Sequence, residues 1–165
     1  MGAGCWLLLA SLAATSRAKA FGRCQLAHLL QREGLDGYRG YSLADWLCMA
    51  FYESNFDTAT KSINADSSTN FGIFQINNRL WCTDERSPSE NLCRVACAGT
   101  TSLQHWWAHA GCAFLPADLL TSDITDDIIC AKRIVRRPQG MDAWEDWAMH
   151  CKGRDLSEWL EGCDL

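Results

Sequence analysis

Ten cysteines in a chain of 165 residues constrain this protein more than any other feature of its sequence. The first, Cys5, lies in MGAGCWLLLASLAATSRA, where an apolar run from Trp6 to Ala14 precedes small residues at Ser16 and Ala18, the pattern a signal peptidase cuts after. Residues 1–18 therefore read as a signal peptide, with the mature chain beginning at Lys19. Nine cysteines remain, and in a chain bound for an oxidising compartment they read as a disulfide framework with one thiol left over. Spacing alone does not choose among the pairings. No later stretch approaches the ~20 apolar residues a membrane span needs, so the product is expected to be secreted and to lack a membrane span.

Residues 19–165 suit a single domain. The full sequence carries 15 basic and 20 acidic residues, a net charge of −5, and loss of Arg17 makes it more negative still. That balance argues against nucleic acid and anionic membranes as partners, and it slows rather than speeds encounter with anionic bacterial walls.

Leu26, Leu29 and Leu30 fall on one face of RCQLAHLLQRE and Gly34 stops the pattern, which predicts a first amphipathic helix. In YSLADWLCMAFYESNF, Ser42 with Asp45 three residues on resembles a capping box, and Glu53 lands near the end of the helix that follows. From Lys61 to Ile76 the texture turns to Ser, Thr, Asn and Asp around NADSS, with Phe71, Ile73 and Ile76 in short alternating segments, which predicts a small antiparallel sheet. Helical texture returns in DITDDIICAKRIV, with Asp123 or Thr125 as cap, and in MDAWEDWAMH, with Asp142 as cap before Trp144 and Trp147. DLSEWL supplies a last short turn. The expected class is α+β, a helical lobe and a small β lobe (about residues 57–98) with a cleft between them.

The segments FGRC, GYRGYSLADWLC, ESNF, STNFGIFQIN, WC, NLCRVAC, CAKRIV and GMDAWEDW together resemble the c-type lysozyme and α-lactalbumin family over almost the whole mature chain. GYRGYSLADWLC, PQGM and CKGRDLSEW are closest to its sperm lysozyme-like branch, which implies an acrosomal setting and a part in gamete recognition. The resemblance implies four bridges: Cys24 with Cys163, Cys48 with Cys151, Cys82 with Cys97, and Cys93 with Cys130. Native bridges of this kind contribute about 2–5 kcal/mol each.

A glycosidase that retains configuration needs a protonated carboxyl to serve the leaving oxygen and an ionised one to attack or shield the sugar cation. That logic belongs to lysozymes as a family and comes with the resemblance. Glu53 matches the general acid, and Trp144 the tryptophan whose apolar face keeps it protonated. The second carboxylate is expected where this chain has Asn70, a neutral amide and poor nucleophile. If such a stabiliser is worth roughly 3 kcal/mol, the rate falls by about two orders of magnitude. Asp66, four residues earlier, is expected to organise the turn through its own backbone instead of replacing the missing charge.

The resemblance further implies that Gln75, Asn77, Trp81, Ala143 and Trp144 line an oligosaccharide groove. Leu80, Arg137 and Pro138 depart from the pattern, standing for an aromatic, an acidic residue and a glycine, so the preferred sugar is expected to differ. Trp147 reads as core. The expected ligand is an oligosaccharide or glycoprotein glycan containing N-acetylglucosamine, hydrolysed weakly or not at all, with no cofactor required. The rivals are a working muramidase using Glu53, and a glycosyltransferase modifier like α-lactalbumin, against which Tyr52 and Glu158 (beside Trp159) stand in place of histidine and glutamine.

TSDITDDIIC resembles a family calcium loop, with Asp126 and Asp127 as side-chain ligands and Asp118 and Asp123 offering carbonyls; Thr121 stands where a third carboxylate belongs. The alternative is that these acids favour a helix N-terminus. Residues of about 99–117, GTTSLQHWWAHAGCAFLPA, have no counterpart in the family and contain Cys112, the odd thiol. His105, His109 and Cys112 sit at helical spacings that could gather zinc, though accident is the commoner origin of such a trio. The insert is either a Trp-rich contact surface or a translated non-coding stretch.

Overall fold

The computed structural model describes residues 18–84, 86–99 and 118–165. All but the last residue of the expected signal peptide, and all but Gly99 of the expected insert, with His105, His109 and Cys112, lie outside the described residues.

Among the described residues, four helices, α1 (Arg23–Arg32), α2 (Leu43–Ser54), α3 (Thr125–Ile134) and α4 (Glu145–His150), accompany a three-stranded antiparallel sheet, β1 (Lys61–Ile63), β2 (Thr69–Phe71) and β3 (Ile76–Asn77). Short 3₁₀ turns occupy Tyr38–Gly40, Gly140–Ala143 and Ser157–Trp159. No helix among the described residues is long and apolar enough to cross a membrane.

The helix signals in the sequence act as expected in three places. Leu26 and Leu30 are fully buried on the inner face of α1. Its chain turns out through Gly34, whose φ of 71° a side chain would resist. At α2 the capping box is reciprocal: Ser42 Oγ accepts from the Asp45 amide at 3.2 Å, and Asp45 Oδ2 accepts from the Ser42 amide at 2.9 Å. Two caps differ from expectation. Asp142 does not cap α4; it lies in the preceding 3₁₀ turn and pairs with Lys152 at 2.7 Å, leaving Trp144 at the cap position. Asp123 Oδ1 accepts from the Thr125 amide and hydroxyl one residue before the N-cap, Ile124, so it braces the approach to α3 and leaves the cap itself without a side-chain bond.

Four disulfides tie these elements together. Cys24–Cys163 fastens the chain end to α1, and Cys48–Cys151 joins α2 to the end of α4. Cys82–Cys97 closes the loop after the sheet, which Cys93–Cys130 anchors to α3. Beneath them one core runs through both lobes, including Trp46, Leu47, Met49, Ile73, Phe74, Ile76 and Trp147. Trp147 is core, as read, and its indole N–H donates to Asp45 Oδ1 at 3.2 Å.

The described residues at either end of the expected insert come together. Ala96 bridges to Asp118, and a Cβ on Gly99 would stand 2.8 Å from Asp118 Oδ2, so the chain leaves and re-enters side by side. Added length between adjacent ends costs little closure entropy.

The sheet lobe packs tightly against the approach to α3 at Gly72, which has a φ of 77° and whose Cβ would run into the Leu119 carbonyl and stand 2.7 Å from Asp127 Oδ1. Gly72→Ala combines left-handed strain with a backbone clash and is expected to destabilise by at least ~2 kcal/mol. Urea unfolding measures this; a change under ~0.5 kcal/mol, the range of neutral surface substitutions, would contradict it.

Candidate functional site

A cleft of about 1040 Å³ opens between the lobes. From the helical side Glu53, Ala143, Trp144, Glu145 and Asp146 reach it; from the sheet side Asn64, Asp66, Asn70, Gln75 and Asn77; and Trp81 and Leu80 contribute from the segment after β3.

Glu53 is the penultimate residue of α2. Ser54 Oγ, next to it, donates to the carbonyls of Ala50 at 3.0 Å and Ile73 at 2.7 Å, and so clamps the helix end to the sheet lobe. Asn55 and Phe56, both with φ above 50°, then turn the chain sharply away. Trp144 is buried beside Trp46, its indole N–H donating to the Phe74 carbonyl at 2.7 Å. In this setting burial pushes the Glu53 carboxyl from its ordinary 4.5 to about 8. The negative charges of Asp146 and, less strongly, Glu145 add to the shift, against a backbone hydrogen bond from Asp146 that pulls the other way. Glu53 is therefore protonated at neutral pH.

Asn70 sits on the cleft face of β2, in register with Ser62 of β1 and Asn77 of β3, while Phe71 turns into the core. Its Oδ1 accepts from Asn77 Nδ2 at 2.8 Å and Asn64 Nδ2 at 3.1 Å, and its own amide donates to Asn64 Oδ1 at 3.3 Å. Two donors converging on one oxygen would suit an anion, yet the group they hold is neutral.

Other residues have different work than the sequence implied. Gln75 borders the cleft, but its amide donates to the carbonyls of Thr60 and Gly72 at 3.0 and 2.9 Å, and its oxygen accepts from Ser62 Oγ at 2.6 Å. It is a strut of the sheet lobe rather than a group free to read a sugar. Asn77 holds Asn70 and Ser68. Asp66 organises its turn as read, accepting from the Ser68 amide at 2.9 Å and hydroxyl at 2.6 Å, and pairs with Arg79 at 2.8 Å. Sequence reasoning missed Asn64, Glu145 and Asp146. The acid pair directly after Trp144 was the available signal.

The acidic loop before α3 does not fit a calcium ion. Thr121 Oγ1 donates to the carbonyls of Asp123 at 2.9 Å and Asp118 at 3.4 Å, the oxygens a cation would need. Asp118 Oδ1 is bound by the Leu120 amide and Asp123 Oδ1 by Thr125. Asp127, fully buried with both oxygens unpartnered, and Asp126 next to it carry the remaining carboxylates, and with both carbonyls taken by Thr121 two carboxylates do not make up the several hard oxygens calcium requires. Among the described residues no group of three or more His, Cys, Asp or Glu is placed to hold a metal.

A model of the C-type lysozyme/alpha-lactalbumin family matches residues 19–105 and 100–163. The chain belongs to that family. The match divides within the segment set apart above as an insert. Sperm acrosome membrane-associated protein 3 of Mus musculus is 48% identical over 96% of this chain, which spans 63% of that protein's length. Sperm acrosome-associated protein 5 of Homo sapiens is 47% identical over 92% of this chain and 83% of its own. Lysozyme C, milk isozyme, of Equus caballus is 46% identical over 89% of this chain and all of its own. The crystal structure of lysozyme from Equus asinus superposes with a TM-score of 0.75 at 44% identity, covering 89% of this chain and all of that one.

Two outcomes follow from this geometry. A carboxyl that stays protonated when folded but ionises when unfolded erodes stability as pH rises from about 4.5 to about 8. Glu53→Gln is thus expected to melt like the parent at pH 4 and to gain on the order of 3–5 kcal/mol at pH 8; identical pH profiles of the two melting curves would contradict the burial argument. Millimolar calcium, compared with chelator, is expected to leave the calorimetric melting temperature unchanged. A rise of several degrees would show that the loop rearranges around the ion.

Proposed function

We propose that this family member is a secreted protein that binds glycans containing N-acetylglucosamine in the cleft and hydrolyses them weakly or not at all. The observation that carries the reading is Asn70: the cleft offers one carboxyl poised as an acid, and across from it an amide that cannot ionise. Protonated Glu53 still donates a hydrogen bond to a bound sugar oxygen. Trp81 offers a ring for a pyranose, Ala143 and Trp144 form the opposing wall, and Gln75 and Asn77 act indirectly by fixing the sheet face.

Hydrolysis needs more. Proton delivery from Glu53 leaves a positive sugar carbon, and with an amide at position 70 the strand across from the acid offers neither a covalent partner nor a full charge to stabilise it. Glycan binding itself requires no cofactor. The names of the sperm acrosome-associated relatives support an acrosomal location; recognition between gametes and a mature chain starting at Lys19 complete the proposal.

The rival, an active muramidase, is favoured by the one observation that Glu53 is held in the protonated state such chemistry requires. Two measurements separate them. The parent chain is expected to bind chitotriose by calorimetry while clearing a bacterial wall suspension about 100-fold more slowly than Asn70→Asp, whose new carboxylate inherits the donors of Asn64 and Asn77. Equal clearing rates would favour the muramidase, and no chitotriose binding would remove the glycan reading.

A further inference from the structure

Beside the cleft lies a second hollow, of about 490 Å³, whose charged lining is entirely basic: Arg39, Arg136 and Arg137, with Tyr41, Pro138 and Gly140 completing its walls. All three arginines are exposed, in a chain that carries an acidic excess overall. Among the described residues the ion pairs involve Arg32, Arg79, His150 and Lys152, and none of the three arginines of the hollow.

Two of these guanidinium groups lie beside aromatic side chains. Arg136 Nε donates to the Tyr38 hydroxyl at 2.8 Å, and its guanidinium lies 6.0 Å from the Tyr38 ring centre. Arg137 lies 5.6 Å from the ring centre of Trp81, which itself lines the cleft. Such neighbours restrict a guanidinium while leaving further N–H donors outside any ion pair, an arrangement suited to an oxyanion. Like charges collected around one hollow repel each other, and an anion placed among them relieves that repulsion.

The contact between Arg137 and Trp81 joins the hollow to the cleft, so one extended ligand can reach both. We propose that the hollow receives the acidic substituent, a sulfate ester or a sugar carboxylate, of a glycan whose neutral residues lie along the cleft. This rests on the glycan-binding reading of the cleft and adds the ligand's charge to it. It also divides the ligand in two: the neutral part lies along the cleft, where Asp66, Glu145 and Asp146 repel an anionic group, and the charged part lies among the arginines.

The test is titration calorimetry of the full mature chain at low salt with two matched pairs of probes: chitotriose against its 6-O-sulfated form, and N-acetyllactosamine against its sialylated form. At least one acidic probe is expected to bind about 10-fold or more tightly than its neutral counterpart, the size of one charge-assisted contact, with the advantage shrinking as salt is added. Which pair shows the advantage identifies sulfate or carboxylate as the group recognised. Arg39→Gln combined with Arg136→Gln is expected to abolish the advantage and leave neutral binding unchanged. A control with Arg32→Gln and Arg154→Gln, which removes the same net charge elsewhere, keeps it. Circular dichroism confirms that both variants are folded. Equal affinities within both pairs, no binding of either acidic probe, or an advantage that survives loss of Arg39 and Arg136 would overturn the proposal. Failure of neutral chitotriose alone to bind counts against the cleft reading, while the arginine hollow is judged by the acidic-to-neutral ratio.

Discussion

Two consecutive carbonyls, those of Ile73 and Phe74, hold the two lobes in register. Ser54 Oγ donates to the first and Trp144 Nε1 to the second, each at 2.7 Å and both buried. The two donors come from either side of Glu53: Ser54 is its chain neighbour and Trp144 walls the same cleft. Buried hydrogen bonds are expensive to break because each freed group loses its partner without gaining water. The distance between the acid on α2 and the amide on β2 is therefore fixed by the same contacts that exclude solvent from the acid. Gly72, immediately before these carbonyls, permits the close approach because it carries no side chain.

That rigidity gives the charge distribution its meaning. The strand position across the cleft from Glu53 carries the neutral Asn70, while Glu145 and Asp146 supply negative charge on the helical side beside Glu53. Their effect there is to keep the acid protonated, adding to what burial already does. A cleft built this way offers a neutral donor, an amide platform and an aromatic ring, all groups that recognise a sugar without attacking it. The donors of Asn64 and Asn77 remain converged on the Asn70 oxygen, so the platform retains an anion's geometry without its anion.

What could be read in the sequence was what local chemistry decides. The Ser42 and Asp45 capping box, the stop at Gly34 and the Asp66 turn each depend on residues within a few positions of one another, and each appears in the structure. So does the buried face of α1, because helical periodicity is itself local. The hydrogen bonds of Gln75 were not legible there, because they depend on carbonyls at Thr60 and Gly72 and on a left-handed backbone, with φ of 47°, that no pattern of neighbours announces. Asp142 was misread for a similar reason: its partner, Lys152, lies ten positions on, across a helix. In the loop before α3, composition suggested ligands for a cation, but the direction of the Thr121 hydroxyl turns the carbonyls inward, and direction is not written in composition.

The insert shows how the fold tolerates what the family pattern does not contain. Because Gly99 and Asp118 are adjacent, and because Cys97 on one side and Cys130 on the other are bound to Cys82 and Cys93, the chain is pinned close to both points of departure. Additional length there enlarges a loop whose ends are already fixed, and the entropy of such a loop grows only with the logarithm of its length. Among the described residues, the cleft walls belong to α2, the sheet, the segment around Trp81 and the start of α4. The physical case for the proposed sugar recognition therefore rests on the framework shared with the family, together with the amide at Asn70 and the guanidinium at Arg137.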